Sequence, residues 1–173
     1  PGFFMVATTQ GTLDGKNLRI GIAASRFNET IADNLLKGAE AELKKLGVAE
    51  ADMHVVRVPG ALELPIALED MAESKRFDSL IALGCVIKGK TDHYAIVARE
   101  TGSGAAYVSR KWALPVIFEV LACPNEKIAK ARSSANFSKG VNRGIDAARA
   151  AVEMAVCRKN LANDLRNQPF RLK

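Results

Sequence analysis

In this 173-residue sequence, side chains that could hold an anion or move a proton gather around one short motif. Gly84-Cys85-Val86-Ile87-Lys88-Gly89-Lys90-Thr91 matches the phosphate-binding pattern GxxxxGK[ST] letter for letter. It follows an apolar run and precedes a helical pattern. Gly89, Lys90 and Thr91 are therefore expected to open a helix whose free N–H groups and dipole favour an anion. His93 stands two residues further on, where an imidazole takes and gives protons near neutral pH. Glu63 opens another helical stretch and can serve as a dipole partner or as an acceptor for a polyol. Arg132 closes a short helical stretch, either as a partner for its negative end or as a clamp on phosphate. Phe27 and Phe118 stand at expected strand ends, where two rings could sandwich a flat heterocycle, although a single phenylalanine is ordinarily core. Cys85 is a potential nucleophile, but in its apolar run a buried, inert thiol fits better. Two histidines, with no CxxC pair, leave no zinc pattern, and His54 begins a strand away from the other groups.

These residues need a frame. Strands are expected at Leu18–Ala24, Met53–Val58, Asp78–Gly84 and Pro115–Leu121. Helices are expected at Glu29–Leu46, Glu63–Ser74, Thr91–Lys111, Asn125–Arg132 and Ile145–Leu165. Ser133–Asn142 reads as a polar loop and Arg166–Lys173 as a frayed basic tail. Successive strand–helix units imply parallel strands with right-handed crossovers. The expected fold is one domain, a three-layer αβα sandwich of the doubly wound kind on a four-stranded parallel sheet. Ligands of such sheets bind outside the carboxyl ends of the strands. There the sequence places Ser25-Arg26-Phe27-Asn28, Pro59-Gly60-Ala61-Leu62-Glu63, Val86 through His93, and Phe118.

Composition narrows the function. The net charge of +6 suits an anionic partner, but aromatics are only 6% and the basic residues are scattered, which disfavours nucleic acid. No apolar run reaches the ~18 residues of a membrane span. Three widely spaced cysteines argue against a disulfide framework and for a reducing compartment, the cytoplasm. Pro1–Val6 is apolar but too short, and lacks the basic flank of a signal peptide. Residues 1–10 read either as a tag-derived end or as an arm that adds a strand to a neighbouring subunit's sheet. A P-loop phosphotransferase is the competing enzyme class, with Val116-Ile117-Phe118-Glu119 as its Walker-B-like run. The motif's place on the third unit, and its bulky Val86 and Ile87, count against it.

At these residues the sequence resembles the 6,7-dimethyl-8-ribityllumazine synthase family over about residues 11 to 157. The resemblance rests on Arg26-Phe27-Asn28, Val58 through Pro65, Leu83 through Gly89 with His93-Tyr94, Pro115 through Phe118, and Arg132. It implies a flavodoxin-like sheet and condensation of 5-amino-6-(D-ribitylamino)uracil with 3,4-dihydroxy-2-butanone 4-phosphate. A Schiff base forms, phosphate is eliminated, and the ring closes with loss of water; no cofactor or metal is implied. By this resemblance Phe27 stacks on the pyrimidine, with Asn28 beside it. Gly60, Ala61, Leu62 and Glu63 line the ribityl site, Glu63 taking its hydroxyls. Cys85, Val86 and Ile87 border the heterocycle, and Lys90 and Thr91 hold the phosphate. His93 shuttles protons, and Arg132 binds the phosphate and helps expel it. Phe118 would come from a neighbouring subunit. The family forms pentamers, some of which assemble further into decamers or sixty-subunit shells, and a longer 133–142 connection implies an isolated pentamer. Leu62 stands where an aromatic is often found, and Arg143 where lysine is common. A non-catalytic flavin- or lumazine-binding shell protein on the same fold is a third reading.

Overall fold

The computed structural model describes residues 7–167. Four parallel strands, β1 (Ile20–Ser25), β2 (Met53–Val58), β3 (Ser79–Ile87) and β4 (Val116–Cys123), form one sheet in the order β2-β1-β3-β4. The five helices are α1 (Glu29–Lys45), α2 (Leu64–Glu73), α3 (His93–Trp112), α4 (Glu126–Arg132) and α5 (Arg143–Asn167). This is the expected αβα sandwich with flavodoxin-like strand order. The central strands β1 and β3 are buried on both faces, and their near-continuous apolar sequences reflect it. β2, on one edge, is half-exposed and correspondingly mixed in sequence.

Two apolar layers sandwich the sheet. Ile20, Ile22, Ile81 and Leu83 pack under α1 and α5 through Leu35, Leu43, Ala148 and Val152. Ala23, Leu80, Ala82 and Val120 pack under α2 and α3 through Leu64, Leu68, Ala105 and Val108. The chain therefore winds outward from β1 to β2, then crosses back to β3. Between the carboxyl ends of β1 and β3 the winding reverses, and no crossover covers that point.

Several boundaries differ from expectation. β3 runs through Ile87 rather than stopping at Gly84, because Cys85-Val86-Ile87 continues its apolar, β-branched run and pairs with Leu121-Ala122-Cys123. β4 likewise extends to Cys123, so Phe118 is mid-strand, opposite Ala82, and not at the strand's end. α3 begins at His93 rather than Thr91, and Gly89–Thr91 form a bend ahead of it. Ala61–Glu63 make a separate 3-10 turn before α2. α5 takes in Arg166 and Asn167, the first residues of the expected tail; residues 168–173 and 1–6 lie outside the described ones. The described part of the arm, residues 7–10, is not a strand in the isolated chain. It lies along α5, with Thr9 donating to Asp164 at 2.5 Å and Asn160 donating to the Gln10 carbonyl at 2.9 Å.

The 133–142 connection is closed at its base by a bridge between Ser133 and Asn142. Asn142 is buried, and its amide donates to the carbonyls of Asn34 (2.8 Å) and Ser134 (2.9 Å). Its Oδ1 accepts from the Gly144 N–H at 2.9 Å, which caps α5 and pins it to α1. Asn142→Ala strands three backbone groups at once. We expect a loss of about 2–3 kcal/mol in urea denaturation, whereas Ser138→Ala, at the exposed tip of the loop, should stay within about 0.5 kcal/mol.

Candidate active site

The segment after β1 is tied on both sides. Arg26 N–H donates to the Val58 carbonyl at 2.8 Å and Phe27 N–H to Pro59 at 3.0 Å, which fastens it to the end of β2. The Asn28 amide donates to the Cys85 carbonyl at 2.9 Å, which fastens it to β3. Asn28 is in the left-handed region (φ 59°, ψ 48°), a conformation asparagine tolerates. Its own carbonyl accepts from Ile31 and Ala32 and starts α1. With its backbone held this way, the Phe27 ring is 70% exposed at the winding reversal.

That ring forms one wall of a cavity of about 490 Å³. The second wall is Gly60 with the Ala61-Leu62-Glu63 turn, and the floor is the end of β3, Cys85-Val86-Ile87. The third wall is the bend and first turns of α3: Gly89, Thr91, His93, Tyr94 and Val97. Glu63 folds back over Gly60, so close that a Cβ on Gly60 would lie 2.9 Å from its carboxylate. Asp92 precedes α3 without a side-chain cap, and while Ala95 N–H donates to the Asp92 carbonyl at 2.9 Å, the N–H groups of His93 and Tyr94 ahead of it have no helical partner at the lip of the cavity. The space thus has a flat apolar face, a carboxylate and an anion-favouring helix start with an imidazole. That arrangement fits a planar ring, a hydroxylated chain and an anionic group.

Of the residues the sequence proposed, Phe27, Gly60, Ala61, Leu62, Glu63, Cys85, Val86, Ile87, Thr91 and His93 come together here. Asn28, Lys90, Phe118 and Arg132 do not line the cavity. Asn28 is spent on the β1–β3 tie. Lys90 is exposed in the bend. Phe118 lies on the edge strand β4, on the far flank of α3 beside Gly102. Arg132 is exposed at the end of α4, near Glu119 and Cys123. Tyr94 and Val97 were missed. Their three-residue spacing, continued by Thr101, Ala105 and Val108, marks the inward face of α3 and was the signal available.

The apparent P-loop is not one. Gly84 through Ile87 is extended and pairs with β4, so it cannot wrap a phosphate. The Walker-B-like Glu119 lies on the opposite face of the sheet, where Arg143 holds it at 3.1 Å and also reaches Asp146 at 2.9 Å. Burial pushes the Glu119 carboxyl above its ordinary range despite that guanidinium.

Residues 17–159 match the model of the 6,7-dimethyl-8-ribityllumazine synthase family. Curated relatives with that name include proteins from Albidiferax ferrireducens (43% identical over 92% of this chain and 95% of the relative) and Cupriavidus pinatubonensis (48% over 83% and 81%). Another is from Paraburkholderia phymatum (47% over 84% and 81%). The chain belongs to the 6,7-dimethyl-8-ribityllumazine synthase family. Within a chain of this family, Cys85 is a wall and not a nucleophile: burial, with Cys123 adjacent, pushes its thiol up to about 12. Iodoacetamide on the native protein should label the half-exposed Cys157 and spare Cys85 until urea is added. Rapid labelling of Cys85 at pH 8, located by peptide mass, would contradict this placement.

Proposed function

We propose that this chain is a lumazine synthase, condensing 5-amino-6-(D-ribitylamino)uracil with 3,4-dihydroxy-2-butanone 4-phosphate. The observation that carries this reading is the single cavity in which Phe27, Glu63, Thr91 and His93 face one space. Phe27 stacks on the pyrimidine, and Glu63 accepts hydrogen bonds from the ribityl hydroxyls. The first-turn N–H groups of α3 and the Thr91 hydroxyl receive the phosphate. The amine of the first substrate attacks the ketone of the second, and loss of water gives a Schiff base. His93 carries the proton transfers that accompany phosphate elimination, and attack of the ribitylamino nitrogen on the remaining carbonyl closes the ring with loss of a further water. Holding two substrates in one geometry supplies most of the acceleration, one imidazole the proton transfers, and fixed donors the stabilisation of the leaving phosphate.

Arg132 and Phe118 act in this scheme from a second copy. Both are exposed on the β4 side of the molecule, outside the cavity of their own chain. Docking that side of one protomer over the cavity of the next would cover Phe27 and bring a guanidinium to the phosphate. The assembly we propose is a cytoplasmic homopentamer, with the 133–142 connection obstructing further association.

Mixing the two substrates with the protein, without added metal, should give a yellow fluorescent product and one phosphate per turnover. Arg132→Ala should abolish turnover, and His93→Ala should lower kcat by about 10²-fold or more. Binding of the uracil substrate without turnover would favour a non-catalytic binder, and magnesium-dependent nucleotide hydrolysis lost in Lys90→Ala would favour a phosphotransferase. Light scattering on the same sample should report about five chains; a particle in the megadalton range would overturn the pentamer.

A further inference from the structure

α3 carries two glycines in its middle, in Thr101-Gly102-Ser103-Gly104, where helix propensity is poorest. Each meets a neighbour. Gly104 faces Pro65 at the start of α2: a Cβ there would lie 2.6 Å from Pro65 Cγ and 2.7 Å from its Cβ. Gly102, about 200° round the helix, faces Phe118 on β4, where a Cβ would sit at an ordinary 3.6 Å. The helix is held between two rings on opposite flanks, but only one of the two contacts requires glycine. The atoms opposing Gly104 belong to a ring fused to the backbone, so they cannot rotate away. Pro65 directly follows the turn and Leu64, so displacing it displaces Ala61, Leu62 and Glu63.

The seat lies close to the cavity. Val97, in the cavity wall, is seven residues or about 10 Å up the same helix face. Thr101 lies between the two, fully buried, with its hydroxyl donating back to the Val97 carbonyl at 2.7 Å. The space between α3 and the Ala61–Glu63 turn is therefore set where Gly104 rests on Pro65. We infer that Gly104 is a positioning residue: by letting α3 seat directly on Pro65 it fixes the width of the ribityl-binding half of the cavity. The inference rests on the function proposed above. It also predicts an asymmetry. The anion end of the site is built from the bend and first turn of α3 itself and moves with that helix. The ribityl end spans two elements and opens when they separate. A displacement of about 1 Å is enough to matter at such a site.

The test is calorimetric binding of 5-amino-6-(D-ribitylamino)uracil to the full chain, with steady-state KM for the butanone phosphate measured alongside. Gly104→Ala should raise Kd for the uracil at least tenfold and leave KM for the phosphate substrate within twofold. The Gly104→Ala/Pro65→Ala double variant, which removes the ring opposing the new methyl, should recover Kd to within threefold. Gly102→Ala makes the same chemical change on the other flank and should leave Kd within twofold. Equal weakening in Gly102→Ala and Gly104→Ala, loss of affinity for both substrates alike, or no recovery in the double variant overturns the inference. So does a Gly104→Ala Kd equal to that of the parent. If Gly104→Ala does not fold by circular dichroism, a double variant that folds and binds supports the seat, and one that does neither overturns it. A parent chain that does not bind the uracil sinks the proposed function and the inference with it; a parent that binds while Gly104→Ala is unchanged sinks the inference alone.

Discussion

The arrangement depends on one hydrogen bond, from the Asn28 amide to the Cys85 carbonyl. Where the winding reverses, β1 and β3 end side by side with no crossover covering them, and the sheet ladder between them stops at Ala24 and Leu83. Asn28 extends the tie past that point. The same residue turns the chain through the left-handed region and offers its carbonyl to the start of α1. A neutral hydrogen bond of this kind contributes only about 1 kcal/mol to stability. Its geometric effect is larger, because it fixes the backbone from which Phe27 projects. A ring 70% exposed has little packing of its own to hold it, so its orientation comes from the backbone beneath it.

Rigidity is distributed unevenly around the cavity, in a way that suits its chemistry. The floor belongs to the central strand β3, and burial at its end raises the Cys85 thiol well above its ordinary range. One wall is the helical turn seated on α3 through Pro65. The wall that would meet the anion is the bend between Ile87 and His93, exposed throughout. For the condensation proposed here, release of phosphate would gain from fixed donors on a helix start reached through an open approach, and orientation of a ribityl chain from a closely packed wall.

The sequence made the frame readable for a physical reason: central parallel strands are apolar on both faces, and the helices between them keep a helical apolar period. β2 was located to the residue, and α1 to within one. What failed was the boundary around Gly84–Thr91. Glycine and lysine there imitate a phosphate loop, but the β-branched pair Val86-Ile87 keeps the backbone extended and paired. The same misplacement puts the expected start of α3 two residues early. Phe118 and Arg132 illustrate another limit. Their residue types announced chemistry, but a side chain's distance from a cavity depends on strand order and on which flank of a helix it occupies. Neither follows from spacing along the chain.

The position of those two residues also bears on why the cavity is open. Phe27 and Leu62, in the cavity wall, are large apolar side chains 70% and 49% exposed to solvent. Apolar side chains left open at a concave site are costly for a free monomer and characteristic of a surface that is covered. On the β4 side the exposed groups are of complementary kind: the ring of Phe118 and the guanidinium of Arg132. Each chain thus presents a pocket on one side and the groups that would close it on another. Self-association of unlike surfaces proceeds head to tail, and it yields a finite ring only if the rotation per step closes. A cavity open at one edge, with Phe118 and Arg132 exposed on another side of the same chain, is the arrangement the proposed site between copies requires, and in it catalysis and assembly would use the same contacts.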